Sequence, residues 1–175
     1  TFLHAFDDER VMAGNGTIGL EILEDLPDVD AVVVPFGGGG LTAGIATALR
    51  ALRPGVRVYA AEVATAAPLS ASLDAGAPRA IDYIPSFVDG IGSAAVFPRM
   101  WDLVRPLIDG ALVASLDEAE AALRLVAERR RVIIEGAAAC AVAVALAGRA
   151  GGGKVACIVS GGNIDLPVAA RILAS

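Results

Sequence analysis

The amino-acid sequence predicts an α/β fold: an open, mostly parallel sheet with helices on both faces, three layers in all. Three observations carry that reading. Ala31-Val-Val-Val34 is apolar at every position, as a strand covered on both faces is and a half-exposed strand is not. A helical pattern and a second apolar run, Val56 to Ala61, follow directly, and that strand–helix–strand spacing makes a parallel, right-handed crossover. Hydrophobic residues make up 55% of the chain and aromatics only 5%, so the apolar content is mostly small side chains that let helices lie close on a sheet. With 175 residues and no repeat, low-complexity tract or linker, residues 1–175 read as a single domain.

Each element has its own signal. Gly14 to Leu26 reads as the first helix, with Ile18, Ile22 and Leu26 on one stripe and Asn15 or Thr17 in place to cap it. Pro27-Asp28 ends it. After the first strand, Gly37-Gly-Gly-Gly40 leads into a helix from about Leu41, whose face carries Ile45, Leu49 and Leu52 and which Pro54-Gly55 stops. The second strand ends at Glu62, and Pro68 to Ala75 is a short helix closed by Gly76. Residues 77–93 show breakers and little periodicity; a connection that long in a compact domain is usually functional. Met100, Trp101, Val104 and Leu107 mark an amphipathic helix, and Ala111 to Ala114 a strand. Ser115-Leu-Asp-Glu118 has the capping-box form and opens a helix that ends in Arg129-Arg-Arg131, where cations suit the dipole. Gly136 to Leu146 is apolar all round, hence interior. Val155 to Val159 is the last strand, and Asp165 and Pro167 start a terminal helix.

Composition excludes several classes. A net charge of −6, with no basic cluster beyond the Arg triplet, argues against nucleic acid. No apolar run reaches the roughly 18 residues of a membrane helix, so a mean hydropathy of +0.64 reads as burial against other protein. Cys140 and Cys157 lie inside apolar segments without CxxC or metal spacing, as free thiols of a reducing compartment do. No signal-peptide pattern is present, and a cytoplasmic location is expected.

In an open parallel sheet, ligands bind outside the carboxyl ends of the strands. The predicted elements put Gly37–Gly40, Glu62, Ser115 and Ser160–Asn163 there. A tight strand-to-helix turn needs one or two glycines, not four. Without Cβ atoms, Gly37 to Gly40 can turn successive backbone N–H groups toward one anion, at the positive end of the next helix dipole. Ser160 presents a hydroxyl able to bond a ring nitrogen. Two glycine-rich corners on one rim imply a flat ligand with an anionic end. Gly38-x-Gly40-x-x-Ala43 also fits the dinucleotide fingerprint, with Glu62 about 20 residues on for a ribose hydroxyl, so a dinucleotide-binding domain stands as an alternative.

GNGTIGLEIL, VVVPFGGGGLTAGIA, VDGI, IIEGAAA and IVSGGNID, in that order, resemble the carboxyl-terminal half of a fold-type-II pyridoxal-phosphate enzyme of the threonine dehydratase and serine racemase family. The resemblance implies part of that family's large domain. It implies that Gly37, Gly38, Gly39, Gly40 and Leu41 hold the phosphate of pyridoxal 5′-phosphate through backbone N–H groups. Ser160, followed by Gly161, would face the pyridine nitrogen, Gly90 would lie beside the ring, and Asn163 would complete the loop. A hydroxyl there, in place of an acid, leaves the nitrogen largely unprotonated. Glu135 would sit near the ring face and tune proton traffic, although its spacing fits a helix N-terminus equally well; Asn163 equally shapes a turn. The implied activity is a lyase that eliminates water from L-threonine, L-serine or a related 3-hydroxy amino acid, giving a 2-oxo acid and ammonia. Serine racemisation uses the same parts, and a non-catalytic fragment of the fold is a further alternative. The implied partners are the small-molecule substrate and further copies in a homo-oligomer, with no nucleic acid or membrane.

The departures from the family bear on catalysis. Its members bind the cofactor aldehyde through a lysine near their amino terminus. The one lysine here, Lys154, starts the last strand, about 20 Å from Ser160 at strand rise. No catalytic residue is therefore assigned; the lysine-bearing amino-terminal segment and the small domain are expected to be missing. Serine racemase-like members also hold a divalent cation at positions matching Glu62, Ala66 and a nearby Asp. Pro68 stands for that Asp, and one carboxylate is a poor magnesium site, so no metal is assigned. His4 matches the family's histidine with Ala5 for the following proline, and a loop-anchoring role is expected.

Overall fold

A computed structural model describes residues 3–174. The order is α1 (Glu9–Asp25), β1 (Ala31–Pro35), α2 (Gly40–Leu52), β2 (Arg57–Val63), α3 (Pro68–Ala75), α4 (Pro98–Val104), β3 (Gly110–Ala114), α5 (Leu116–Arg130), α6 (Gly136–Leu146), β4 (Val155–Cys157) and α7 (Leu166–Ala174). The described strands form one all-parallel sheet in the order β3-β2-β1-β4. Val33 sits opposite Tyr59 on one side and Cys157 on the other, which puts the ends of β1, β2 and β4 on a common rim.

The alternation of side chains along β1 sorts the layers. Ala31 and Val33 pack with α6 and the buried faces of α5 and α7. Val32 and Val34 pack with Ile45 and Leu49 of α2 and with Ile18 and Ile22 of α1. Both faces of β1 are therefore closed, as its unbroken apolar run requires. The alanines and valines of α6 let that helix lie low across the sheet, and Ala138 to Ala141 are fully buried. α5 opens on the expected capping box, Ser115 and Glu118 bonding reciprocally. Among the described residues no helix is long and apolar enough to cross a membrane.

Three elements differ from expectation. α1 starts at Glu9, and Asp8 caps it by accepting from the Arg10 N–H at 2.9 Å, so Asn15 and Thr17 lie inside the helix. The glycines that suggested a later start have another cause, because α1 lies directly on α2. A Cβ at Gly19 would come 3.1 Å from the Ala48 Cβ, and one at Gly44 would come 2.9 Å from the Asn15 Cβ and overlap the Met12 carbonyl. Tertiary contact here overrides helix propensity. α4 stops at Val104, short of Leu107, and β4 holds three residues and ends before Val159.

Candidate functional site

The rim is built where β1 gives way to α2. The Phe36 N–H still bonds the Ala61 carbonyl at 2.8 Å, and the Ala43 N–H bonds the Gly39 carbonyl at 2.8 Å. Between them, the N–H groups of residues 37–42 have no acceptor among the described residues. Gly39 holds them in this arrangement at φ +92°, a left-handed conformation that favours glycine. Such a run of free donors at a helix N-terminus is an anion cradle. The neighbours account for three of the glycines as well. A Cβ at Gly37 would come 3.1 Å from the Ile91 Cα, and Cβ atoms at Gly38 and Gly40 would overlap Phe6.

One cavity of about 280 Å³ gathers Gly37, Gly38, Gly39, Gly40, Leu41, Gly90, Glu135 and Ser160. The two glycine-rich corners thus share a rim. Phe6 and Asn15 line the same cavity and were not singled out from the sequence as site residues. Phe6 lies in a lead-in segment with no periodicity to read, and the sequence offers Asn15 as a cap. A larger groove, about 480 Å³, runs between α1, α2 and α4, but its lining is mostly apolar and carries none of these donors.

Glu135 occupies the N-cap position of α6 but makes no side-chain capping bond there. Its Oε2 accepts instead from the Asn163 N–H at 3.1 Å, and its backbone N–H bonds the Gly161 carbonyl at 3.0 Å. A Cβ at Gly161 would come 2.8 Å from Oε1, and one at Gly90 would come 3.4 Å from it. The carboxylate is therefore bonded to the loop after β4 and lies close to Gly90. Gly161 packs against Glu135 without lining the cavity of the glycine loop, and Asn163 lines a neighbouring polar cavity with Ser86, Asp89 and Asp165.

Glu62 is fully buried, and its two oxygens accept from the Leu69 N–H at 2.7 Å and the Ser70 N–H at 2.8 Å. It caps α3 from a distance, a role that Pro68 at the first helical position leaves open to it. With both oxygens turned to the start of α3 and the side chain fully buried, Glu62 offers no face to a ribose hydroxyl, which argues against the dinucleotide alternative. The same bonds and the proline leave Glu62 and the buried Ala66 ill-suited to a cation. Burial raises the Glu62 pKa to about 7, against the lowering effect of the two N–H bonds.

Lys154 lies at the amino edge of the sheet, where its Nζ bonds Asp28 at 2.5 Å and its carbonyl receives the Asp30 and Ala31 N–H groups. His4 Nδ1 accepts from the Asp7 N–H at 3.0 Å and so anchors the segment leading to α1. Thr42, in the first turn of α2, is fully buried, and its hydroxyl is the one buried side-chain polar atom without a partner among the described residues. Thr42→Val removes that unpaired group at nearly constant shape and is expected to stabilise the chain by about 1 kcal/mol. A urea midpoint unchanged or lowered would show that the hydroxyl is satisfied in solution.

The donor set fits a phosphate, and comparison with known proteins agrees with it. A family model described as pyridoxal-phosphate dependent enzyme matches residues 1–161. The chain is 41% identical over 167 residues to an L-threonine ammonia-lyase of Geobacter sulfurreducens, covering 94% of this chain and 42% of that protein. It superposes on the processed form of threonine deaminase isoform 2 from Solanum lycopersicum with a TM-score of 0.90 at 31% identity, covering 99% of this chain and 52% of that one. Maize serine racemase superposes with a TM-score of 0.87, also at 31% identity, covering 98% and 56%. The chain spans about half the length of these relatives. A match that runs from the first residue through the cradle to Gly161, on a shared all-parallel fold, makes the chain a member of the pyridoxal-phosphate dependent enzyme family, fold type II.

Proposed function

We propose that this chain is the cofactor-binding part of a pyridoxal-phosphate dependent lyase that eliminates water from L-threonine, L-serine or a related 3-hydroxy amino acid, giving a 2-oxo acid and ammonia. The observation that carries the reading is the common cavity of the free N–H groups after β1 and the Ser160 hydroxyl after β4. In this reading the N–H groups of Gly37, Gly38, Gly39, Gly40 and Leu41 bind the phosphate and the α2 dipole adds to their attraction. Ser160 Oγ donates to the ring nitrogen without protonating it. Gly90 leaves room beside the ring, and Glu135, tied to the Asn163 N–H, holds a carboxylate near the ring face, where it can take or return a proton. Gly161 lets that carboxylate approach. When bound, the cofactor supplies an electron sink for the carbon that loses its proton.

The covalent lysine belongs to the rest of the polypeptide, since Lys154 sits on the far rim paired with Asp28. The half-exposed β4 edge, with Val159 and Ile133 exposed beside it, supports packing against that amino-terminal segment. The complete enzyme is read as a cytoplasmic homo-oligomer. Burial pushes the free thiols of Cys140 and Cys157 up to about 12 and about 11.

The test is a fusion carrying the lysine-bearing amino-terminal half of the Geobacter relative ahead of this chain, assayed with L-threonine and L-serine. Bound cofactor absorbing near the visible edge, with release of a 2-oxo acid and ammonia, is expected. Formation of D-serine without a 2-oxo acid would move the reading to a racemase. A folded fusion that takes up no cofactor would end it.

A further inference from the structure

We infer that Asn15 is a side-chain ligand of the phosphate, donating a carboxamide N–H to one of its oxygens; this rests on the reading of residues 37–42 as a phosphate cradle. The start of α1 at Glu9 removes the explanation the sequence offers for Asn15. Asp8 is the cap, and Asn15 lies well inside the helix, where asparagine is a poor helix former. Its carboxamide makes no hydrogen bond to any described residue, yet the residue is half-buried and lines the cavity that the glycine loop forms.

The contact between α1 and α2 explains how a short side chain reaches this place. A Cβ on Gly44, one turn into α2, would come 2.9 Å from the Asn15 Cβ, so the missing side chain at Gly44 brings Asn15 against the start of that helix. The chemistry of the lining gives it a task. The cavity has no lysine, arginine or histidine among its residues. Its donors are backbone N–H groups, the Ser160 hydroxyl and Asn15. Its charged member, Glu135, lies on the side of Gly90 and Gly161. A phosphate carrying close to two negative charges near neutral pH needs donors and avoids that carboxylate, and an amide NH₂ presents two. Asn15 therefore adds the side-chain donor to a cradle otherwise made of main chain.

The experiment is calorimetric titration of the 175-residue chain with pyridoxine 5′-phosphate and with pyridoxine, neither of which has an aldehyde to react with stray amines. The wild-type chain is expected to prefer the phosphorylated compound. Asn15→Ala weakens its binding about tenfold, the worth of a hydrogen bond to a charged group. Asn15→Asp, of the same shape but repelling the phosphate, weakens it further, about a hundredfold, and Asn15→Gln restores it to within a few-fold. Affinity for pyridoxine stays unchanged, and the thermal midpoint of Asn15→Ala does not fall, since alanine is the better helix former. Unaltered phosphate preference in Asn15→Ala and Asn15→Asp overturns the assignment of Asn15 and leaves the cradle standing. A parallel loss of pyridoxine affinity also overturns it, since Asn15 then acts only through the shape of α1. No preference for the phosphorylated compound in the wild-type chain overturns the cradle, and Asn15 with it.

Discussion

Gly44→Ala is expected to destabilise the chain by about 3 kcal/mol or more, while Gly14→Ala in the facing helix stabilises it by about 0.5–1 kcal/mol. Both replace a helical glycine with the best helix former, so propensity alone gives them the same sign. They differ in what the new methyl meets. At Gly14 it meets no atom within 4 Å; at Gly44 it overlaps the Met12 carbonyl oxygen and comes within 2.9 Å of the Asn15 Cβ and the Gly16 nitrogen. Those are mostly main-chain atoms, which cannot turn aside as a flexible side chain can, so α1 has to lift from α2. The movement also carries Asn15 and the segment bearing Phe6 away from the glycine loop, and binding of pyridoxine 5′-phosphate should fall with stability. Urea unfolding of the two variants measures the difference. Equal midpoints would mean that the helices sit farther apart than described.

Glu62 makes stability depend on pH in the opposite sense to most carboxylates. Its pKa is raised from the ordinary value of 4.5 to about 7 by burial. A group whose folded pKa is raised binds its proton more tightly in the folded chain, so its contribution is fully present below pH 4.5 and lost as pH rises toward and through 7. The shift corresponds to about 3 kcal/mol. Asp8, Asp28 and Glu118, held low chiefly by hydrogen bonds from Arg10, Lys154 and Arg149, pull the other way as pH falls. The difference between wild type and Glu62→Gln isolates the buried group, because the variant keeps the shape and cannot ionise. Urea unfolding at intervals from pH 4.5 to 8 should show the wild-type advantage shrinking by about 3 kcal/mol. Parallel curves would show that Glu62 titrates as an ordinary carboxylate, with water reaching the α3 cap.

Local pattern made much of the architecture legible. The unbroken Ala31–Val34 run predicts a strand covered on both faces, the Ser115 and Glu118 pair predicts the start of α5, and the all-apolar Gly136–Leu146 stretch predicts an interior helix; each is found so. In these segments the residues that report the structure also cause it, over a few positions. α1 starts earlier than its sequence suggests, because Gly14, Gly16 and Gly19 resemble punctuation until α2 is set beside them. The four glycines of the loop suggest room for a ligand, and the fold adds that Phe6, Ile91 and a left-handed turn use the same room.

The sequence by itself determined the layered α/β class, the polar and glycine-rich stretches at the strand ends, and the absence of a second lysine beside Lys154. Only the tertiary structure decided which of those stretches meet. It turned Glu135 away from its own helix toward Asn163, buried both oxygens of Glu62 in a helix cap, and set Asn15 and Phe6 against a loop distant from them in the chain. Periodicity and capping act over one or two turns and leave a mark in neighbouring residues. The approach of α1 to α2, and of the Ser160 loop to the Gly37 loop, depends on how separate elements pack, and no short stretch of sequence records it.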